Sequence, residues 1–163
     1  MRAALEGRVE CVRALLPASD AKSLDLGGWS ALMLAVSGGD LDCVRLLTPV
    51  SDIQTANARG VSPLMLAAYR GTLECLRELL PQSDAMAVDK GGKTALMYSI
   101  VGDRMDCLRE LLPASDAKAR DDRGATALTL AAAGGLACVE ALLAADPVSW
   151  PAPLILLPAF FMS

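Results

Sequence analysis

Five cysteines and one short loop containing glycine and lysine are the features of this chain whose chemistry must be weighed first. The cysteines stand at 11, 43, 75, 107 and 138, separated by 32, 32, 32 and 31 residues. Thiols form disulfides, ligate metals or attack electrophiles, and the spacing bears on each. Equivalent positions of successive stacked helices lie about 8–10 Å apart, whereas a disulfide needs Cα atoms about 4.4–6.8 Å apart. Neighbouring cysteines are therefore not expected to pair. Zinc sites take ligands at short spacings such as C-x2-C, and the chain has no histidine to complete a mixed site. Each cysteine lies in an apolar segment such as Cys75-Leu76-Arg77-Glu78-Leu79-Leu80, where it reads as a small buried hydrophobe.

The loop is Ala87-Val88-Asp89-Lys90-Gly91-Gly92-Lys93-Thr94, which fits a relaxed phosphate-loop pattern with Ala in place of the first Gly. Such a loop requires a preceding strand, a long following helix and a parallel sheet. Here Gly92 and Thr94 fall in columns also filled by Gly60 and Ser62 and by Gly124 and Thr126, so Lys93 reads as a variable loop residue and nucleotide binding is set aside. Without histidine, every His-based triad, dyad or metal site is excluded. Asp20, Asp84 and Asp116 recur as solvated positions of a repeat. No enzyme, cofactor or metal is expected.

What must position these residues is a periodic scaffold. Gly28, Gly60, Gly92 and Gly124 keep a 32-residue period, as do Leu32, Leu64, Leu96 and Leu128, and Pro17, Pro49, Pro81 and Pro113. A fixed period of this length marks a stacked repeat protein, in which each unit buries its apolar face against its neighbours. Within the unit 89–120, Asp89 to Lys93 is a turn, and Thr94 caps a short helix through Ile100, in a column shared with Ser30, Ser62 and Thr126. Gly102-Asp103 breaks that helix. A second helix carries Met105, Leu108, Leu111 and Leu112 on one stripe and stops at Pro113.

Composition agrees with this scaffold. The 163 residues are 53% hydrophobic but 4% aromatic, so the core must be built from Leu, Ala, Val and Met. A net charge of −4 argues against a general nucleic-acid or anionic-membrane surface, which needs a cationic patch. Arg2, Glu6, Arg8, Glu10 and Arg13 interrupt the N-terminus, so no secretory signal is expected and the cytosol is the predicted compartment.

The unit Gly-x-Thr-Ala-Leu-Met, a glycine turn, then Leu-Glu-Cys-Leu-Arg-x-Leu-Leu resembles the ankyrin repeat. The likeness is closest over Gly60-Val61-Ser62-Pro63-Leu64-Met65-Leu66-Ala67-Ala68-Tyr69-Arg70-Gly71 and covers roughly residues 1–146. It implies an all-α solenoid of stacked helix-turn-helix units with short hairpin-like loops. The division is a partial N-terminal repeat 1–24, repeats 25–56, 57–88 and 89–120, a C-terminal repeat 121–146, and an apolar Pro-rich tail 147–163. The family's histidine column holds Met33, Met65, Met97 and Thr129, so the hydrogen bonds of that histidine are expected to be missing. Methionine there, with cysteine in the second helix, is similar to divergent protist ankyrin arrays, some attached to Nek-type kinases.

The ends break the pattern. Met1 falls in the column of Met33, Met65 and Met97, so the first repeat starts in mid-unit, and a fragment of a longer array or an internally begun gene model is expected. The tail carries Pro147, Pro151, Pro153 and Pro158 among apolar residues and is too short and proline-broken to span a membrane. It either folds over the last repeat or extends without regular structure.

The resemblance implies recognition of an unidentified protein partner, with no nucleic acid and no membrane, through hairpin tips and the exposed side of the first helices. Carried onto this chain, the tips give Leu26, Trp29, Arg59, Val61, Lys90, Lys93, Asp122, Arg123 and Ala125, and the helix ends give Ser37, Tyr69, Arg70 and Val101. Trp29 either meets the partner or packs on the preceding repeat. The alternative to a scaffold or adaptor is a passive segment of a longer array, one bearing a kinase domain elsewhere being an example.

Overall fold

The computed structural model describes residues 2–18, 20, 22–134 and 136–145; the tail 147–163 and Met1 lie outside them. The helices of these residues pair in chain order: α1 (Arg2–Leu5) with α2 (Val9–Leu15), α3 (Ala31–Gly38) with α4 (Leu41–Leu47), α5 (Pro63–Arg70) with α6 (Leu73–Leu79), α7 (Ala95–Val101) with α8 (Met105–Leu111), and α9 (Ala127–Gly134) with α10 (Leu136–Ala145). First helices pack on first helices, from α1 through α3, α5 and α7 to α9, and second helices form a parallel series from α2 to α10. Strand pairing among the described residues is limited to the isolated bridges Leu24–Ser30 and Arg120–Thr126. The all-helical stack is the fold class expected from the period.

Each first helix starts where a short hydroxyl side chain satisfies an amide that the helix leaves unpaired. Ser30, Ser62 and Thr94 accept hydrogen bonds from the N–H groups of Met33, Met65 and Met97 at 3.2, 3.3 and 3.4 Å. The three methionines are fully buried, so their column serves the core. The expected loss of histidine's bonds is made good in two units. Met65 Sδ accepts the Ser62 N–H at 3.5 Å, and Thr129 Oγ1 accepts the Thr126 N–H at 2.6 Å. At the far end of α7 the left-handed residue is Asp103 (φ 55°), where α3 and α5 use Gly39 and Gly71. The second helices α6 and α8 run into the single 3-10 turns Leu80–Gln82 and Leu112–Ala114, each containing the proline expected to stop them.

The core lies between the two helix rows. Leu32, Leu64 and Leu96 of the first row and Leu47, Leu79, Leu111 and Leu142 of the second are buried. Cys43, Cys75, Cys107 and Cys138 are buried free thiols, but Cys11 is exposed, which corrects the expectation of one buried position repeated five times. The reason is directional. A cysteine of this column faces the preceding helix pair, as Cys138 Sγ does in donating to Met105 Sδ at 3.3 Å, and no described residue stands before α1 to cover Cys11. Burial pushes the Cys43 thiol up to about 11, with the hydrogen bond and charge of Asp40 acting in the same direction, and burial also raises Cys75, Cys107 and Cys138. These thiols stay protonated at neutral pH and are poor nucleophiles.

The hairpin tips are linked to one another by backbone. Ala58 N–H donates to Gly27 O, Lys90 N–H to Arg59 O and Asp122 N–H to Gly91 O, each at 3.0 Å. Glycine permits this approach at the turn. Gly60 has φ 81°, and a Cβ there would lie 2.8 Å from Lys90 N; Gly92 has φ 76°, and a Cβ would lie 2.9 Å from Asp122 N.

Gly60→Ala is therefore expected to destabilise the chain by about 2 kcal/mol, read as a lower urea midpoint, because it combines left-handed strain with a backbone clash. Asp103→Gly relieves the same kind of strain without a clash and should stabilise the chain by about 0.5 kcal/mol, read as a higher midpoint. Thiol labelling of the native chain should modify Cys11 alone, and all five cysteines only in denaturant; rapid native labelling of Cys75 would contradict the packing described.

Candidate functional site

The tips that frame the site are each built on one side chain. Asp25 Oδ1 accepts from the N–H groups of Gly27 and Trp29, both at 2.8 Å. Asn57 Oδ1 does the same for Arg59 and Val61 at 2.9 and 3.1 Å, Asp89 Oδ1 for Gly91 and Lys93 at 2.9 and 2.8 Å, and Asp121 Oδ1 for Arg123 and Ala125 at 2.9 and 2.8 Å. A short carboxylate or amide mimics a backbone turn here, so Asp and Asn are interchangeable at this column. The amide of Lys93 is thus spent on its own tip, and Thr94 beyond it caps a seven-residue helix, unlike the long helix of a phosphate loop.

Between the tips and the first helices lies a groove of about 610 Å³. The tips contribute Trp29 and Arg59 to its lining, α5 contributes Leu66, Tyr69 and Arg70, and α7 contributes Tyr98. Trp29 is partly buried, packing against the core while lining the groove. Tyr69 is 44% exposed and meets Tyr98 edge to face, with ring centroids 6.2 Å apart at 88°. Tyr98 is fixed in turn by donating its hydroxyl to Asp89 Oδ2 at 2.7 Å. Burial is the main reason its phenol titrates above the ordinary tyrosine value, and the hydrogen bond and negative charge of Asp89 reinforce the shift.

The sequence-derived positions divide in two. Trp29, Arg59, Val61, Tyr69 and Arg70 come together in the groove. Val61 departs from the expected exposed tip: it is 6% exposed, belongs to the core cluster and reaches the groove from its floor, because its place beside the cap Ser62 turns it inward. Leu26, Lys90, Asp122 and Arg123 are exposed along the tips, Val101 is exposed at the end of α7, and Lys93 is partly covered; none of these lines the groove. Tyr98, Leu66 and the tip-building Asp89 were not among the expected residues. Tyr98 had a signal in the sequence, since its column otherwise reads Leu34, Leu66 and Leu130.

Paired helices, linked tips and a groove along one side leave the family to be decided by comparison. A family model described as ankyrin repeats (3 copies) matches residues 1–89 and again 64–149. The chain belongs to the ankyrin-repeat family. A search of curated proteins returned no match. The ankyrin groove of this chain offers aromatic faces, an aliphatic floor and two guanidinium groups, a set suited to holding another molecule by contact and charge. Among the described residues no ankyrin helix is long and apolar enough to cross a membrane.

The Tyr98–Asp89 bond can be tested by ultraviolet titration in Tyr69→Phe, where Tyr98 is the remaining tyrosine. Its ionisation midpoint should lie above the ordinary value of 10.0 and fall in Asp89→Asn, which keeps the turn as Asn57 does but removes the charge. Because the folded chain holds this proton more tightly than the unfolded chain, the stability it contributes is complete below about pH 10 and is lost as pH rises further.

Proposed function

We propose that this ankyrin chain is a protein–protein interaction module, a scaffold or adaptor that holds a protein partner along its hairpin tips and the exposed side of its first helices. The observation that carries the reading is the convergence of Trp29, Arg59, Tyr69 and Arg70 on one open groove. Tryptophan, tyrosine and arginine concentrate binding energy at interfaces because they bring large contact area or forked hydrogen bonding with few flexible bonds. The exposed residues Leu26, Lys90, Asp122, Arg123 and Val101, with the partly covered Lys93, extend the contact beyond the groove. The module is read as non-catalytic, supported by a sequence without histidine and by four thiols, Cys43, Cys75, Cys107 and Cys138, that burial holds protonated. A cytosolic setting is supported by five cysteines that are all free.

Affinity capture from the native cell tests the module. Trp29→Ala and Tyr69→Ala should each weaken the captured complex by about 30-fold, corresponding to about 2 kcal/mol. A partner bound equally well by both variants would move the interface elsewhere, and the absence of any specific partner would leave a passive repeat segment.

A further inference from the structure

The repeats of this chain act as internal controls on one another. A residue that the fold requires should recur in its column, so one that departs from its column without a structural need is a candidate for a different task. Arg70 stands where the other complete units have Gly38, Gly102 and Gly134, and Tyr98 stands where they have Leu34, Leu66 and Leu130. Trp29 shares a column with Val61, Lys93 and Ala125, and Tyr69 shares one with Ser37, Val101 and Ala133. The other units form the same helix pair with smaller or aliphatic residues at these places, glycine being needed at 38 and 102, where a Cβ would meet the backbone oxygens of Leu5 and Tyr69. All four departures nevertheless line the same groove.

Charge narrows the partner. On the second-helix face two arginines are matched by carboxylates of the next helix, Arg45 with Glu78 at 3.1 Å and Arg77 with Glu110 at 3.0 Å, while Arg13 and Arg109 make no ion pair among the described residues. In the groove, Arg59 and Arg70 are exposed and neither has a carboxylate partner among the described residues. The nearby acid is committed: Asp89 Oδ1 holds two tip amides and Oδ2 holds the Tyr98 hydroxyl. A chain of net charge −4 thus presents a locally cationic groove with an aromatic wall. Its volume, about 610 Å³, suits a few side chains of an extended segment.

We infer that the groove formed by Trp29, Arg59, Leu66, Tyr69, Arg70 and Tyr98 takes an acidic peptide segment of a partner protein, with carboxylates on the two guanidinium groups and an adjacent apolar or aromatic side chain against the tyrosine pair. This rests on the interaction-module reading and specifies its ligand. Bidentate guanidinium–carboxylate bonds fix the segment's position, and aromatic contact supplies the anchor.

The test is selection of random heptapeptides displayed on phage by the full chain, followed by binding measurements on the recovered peptides. The expected consensus has Asp or Glu within a few positions of Leu, Phe or Trp. Arg59→Glu/Arg70→Glu should weaken these peptides at least about tenfold, and raising salt should weaken them in the parent chain. Arg109→Glu on the second-helix face should leave them unchanged. Tyr98→Leu restores the column residue, so it should melt as a folded chain and lose the apolar preference while keeping the acidic one. Peptides that lack carboxylates but lose binding in Trp29→Ala overturn this inference and leave the module reading standing. Peptides insensitive to every groove substitution overturn both. Displacement of the acidic peptides by lower concentrations of an oligothymidylate or of phosphatidylserine vesicles, or a self-association abolished by Arg59→Glu/Arg70→Glu, would also overturn it in favour of that occupant.

Discussion

The backbone hydrogen bond from each hairpin tip to the next is the contact on which the rest of the array depends. Helices of seven or eight residues have no stability of their own, since nucleation is unfavourable and few bonds repay it. They persist because each pair is pressed against its neighbours, and the tip bonds at 3.0 Å set how closely and in what register that happens. Register places Leu64 between Leu32 and Leu96 in the core and brings residues of successive tips and helices together at the groove. Glycine at 60 and 92 keeps the space open for the approaching amide. The apolar core supplies the driving force, and the tips supply the alignment.

Much of this was legible in the sequence because a repeat writes each requirement several times. The cap column Ser30, Ser62 and Thr94, the turn glycines and the double leucines appear together at one period, and the hydrogen bonds and burial follow that pattern. The misreadings arise where a position's surroundings differ from its column. Cys11 has the column's residue but no described neighbour of the kind that covers the others, and Val61 occupies a tip column while its side chain turns into the core. The tip-to-tip bonds left only the glycine column that makes room for them, because the groups they join are backbone that every residue but proline carries. Tyr98 did leave a mark, as the aromatic exception in a leucine column, but its meaning needed the groove to be seen.

The two long faces of the array use the same residue types differently. Arg45 and Arg77 bind the next helix's glutamates, a pattern of surface pairs that adds little stability individually and aligns the second-helix row. Arg59 and Arg70 have no such partner among the described residues, and the aromatic rings beside them are held in place by Asp89 and by each other. A polar side chain that serves the turn thereby also fixes one wall of the groove. The two rings therefore have little rotamer freedom left, whereas the exposed arginines keep theirs.

The tip bonds run from one unit to the next, along the direction in which the array grows. Tension applied between its ends would therefore load the joints between units one after another in series, each joint being a tip bond together with the helix packing beside it. Such a chain yields at its weakest joint and lengthens in discrete steps of one helix pair, so the periodic backbone link that aligns the fold at rest also makes it a stepwise extensible spring.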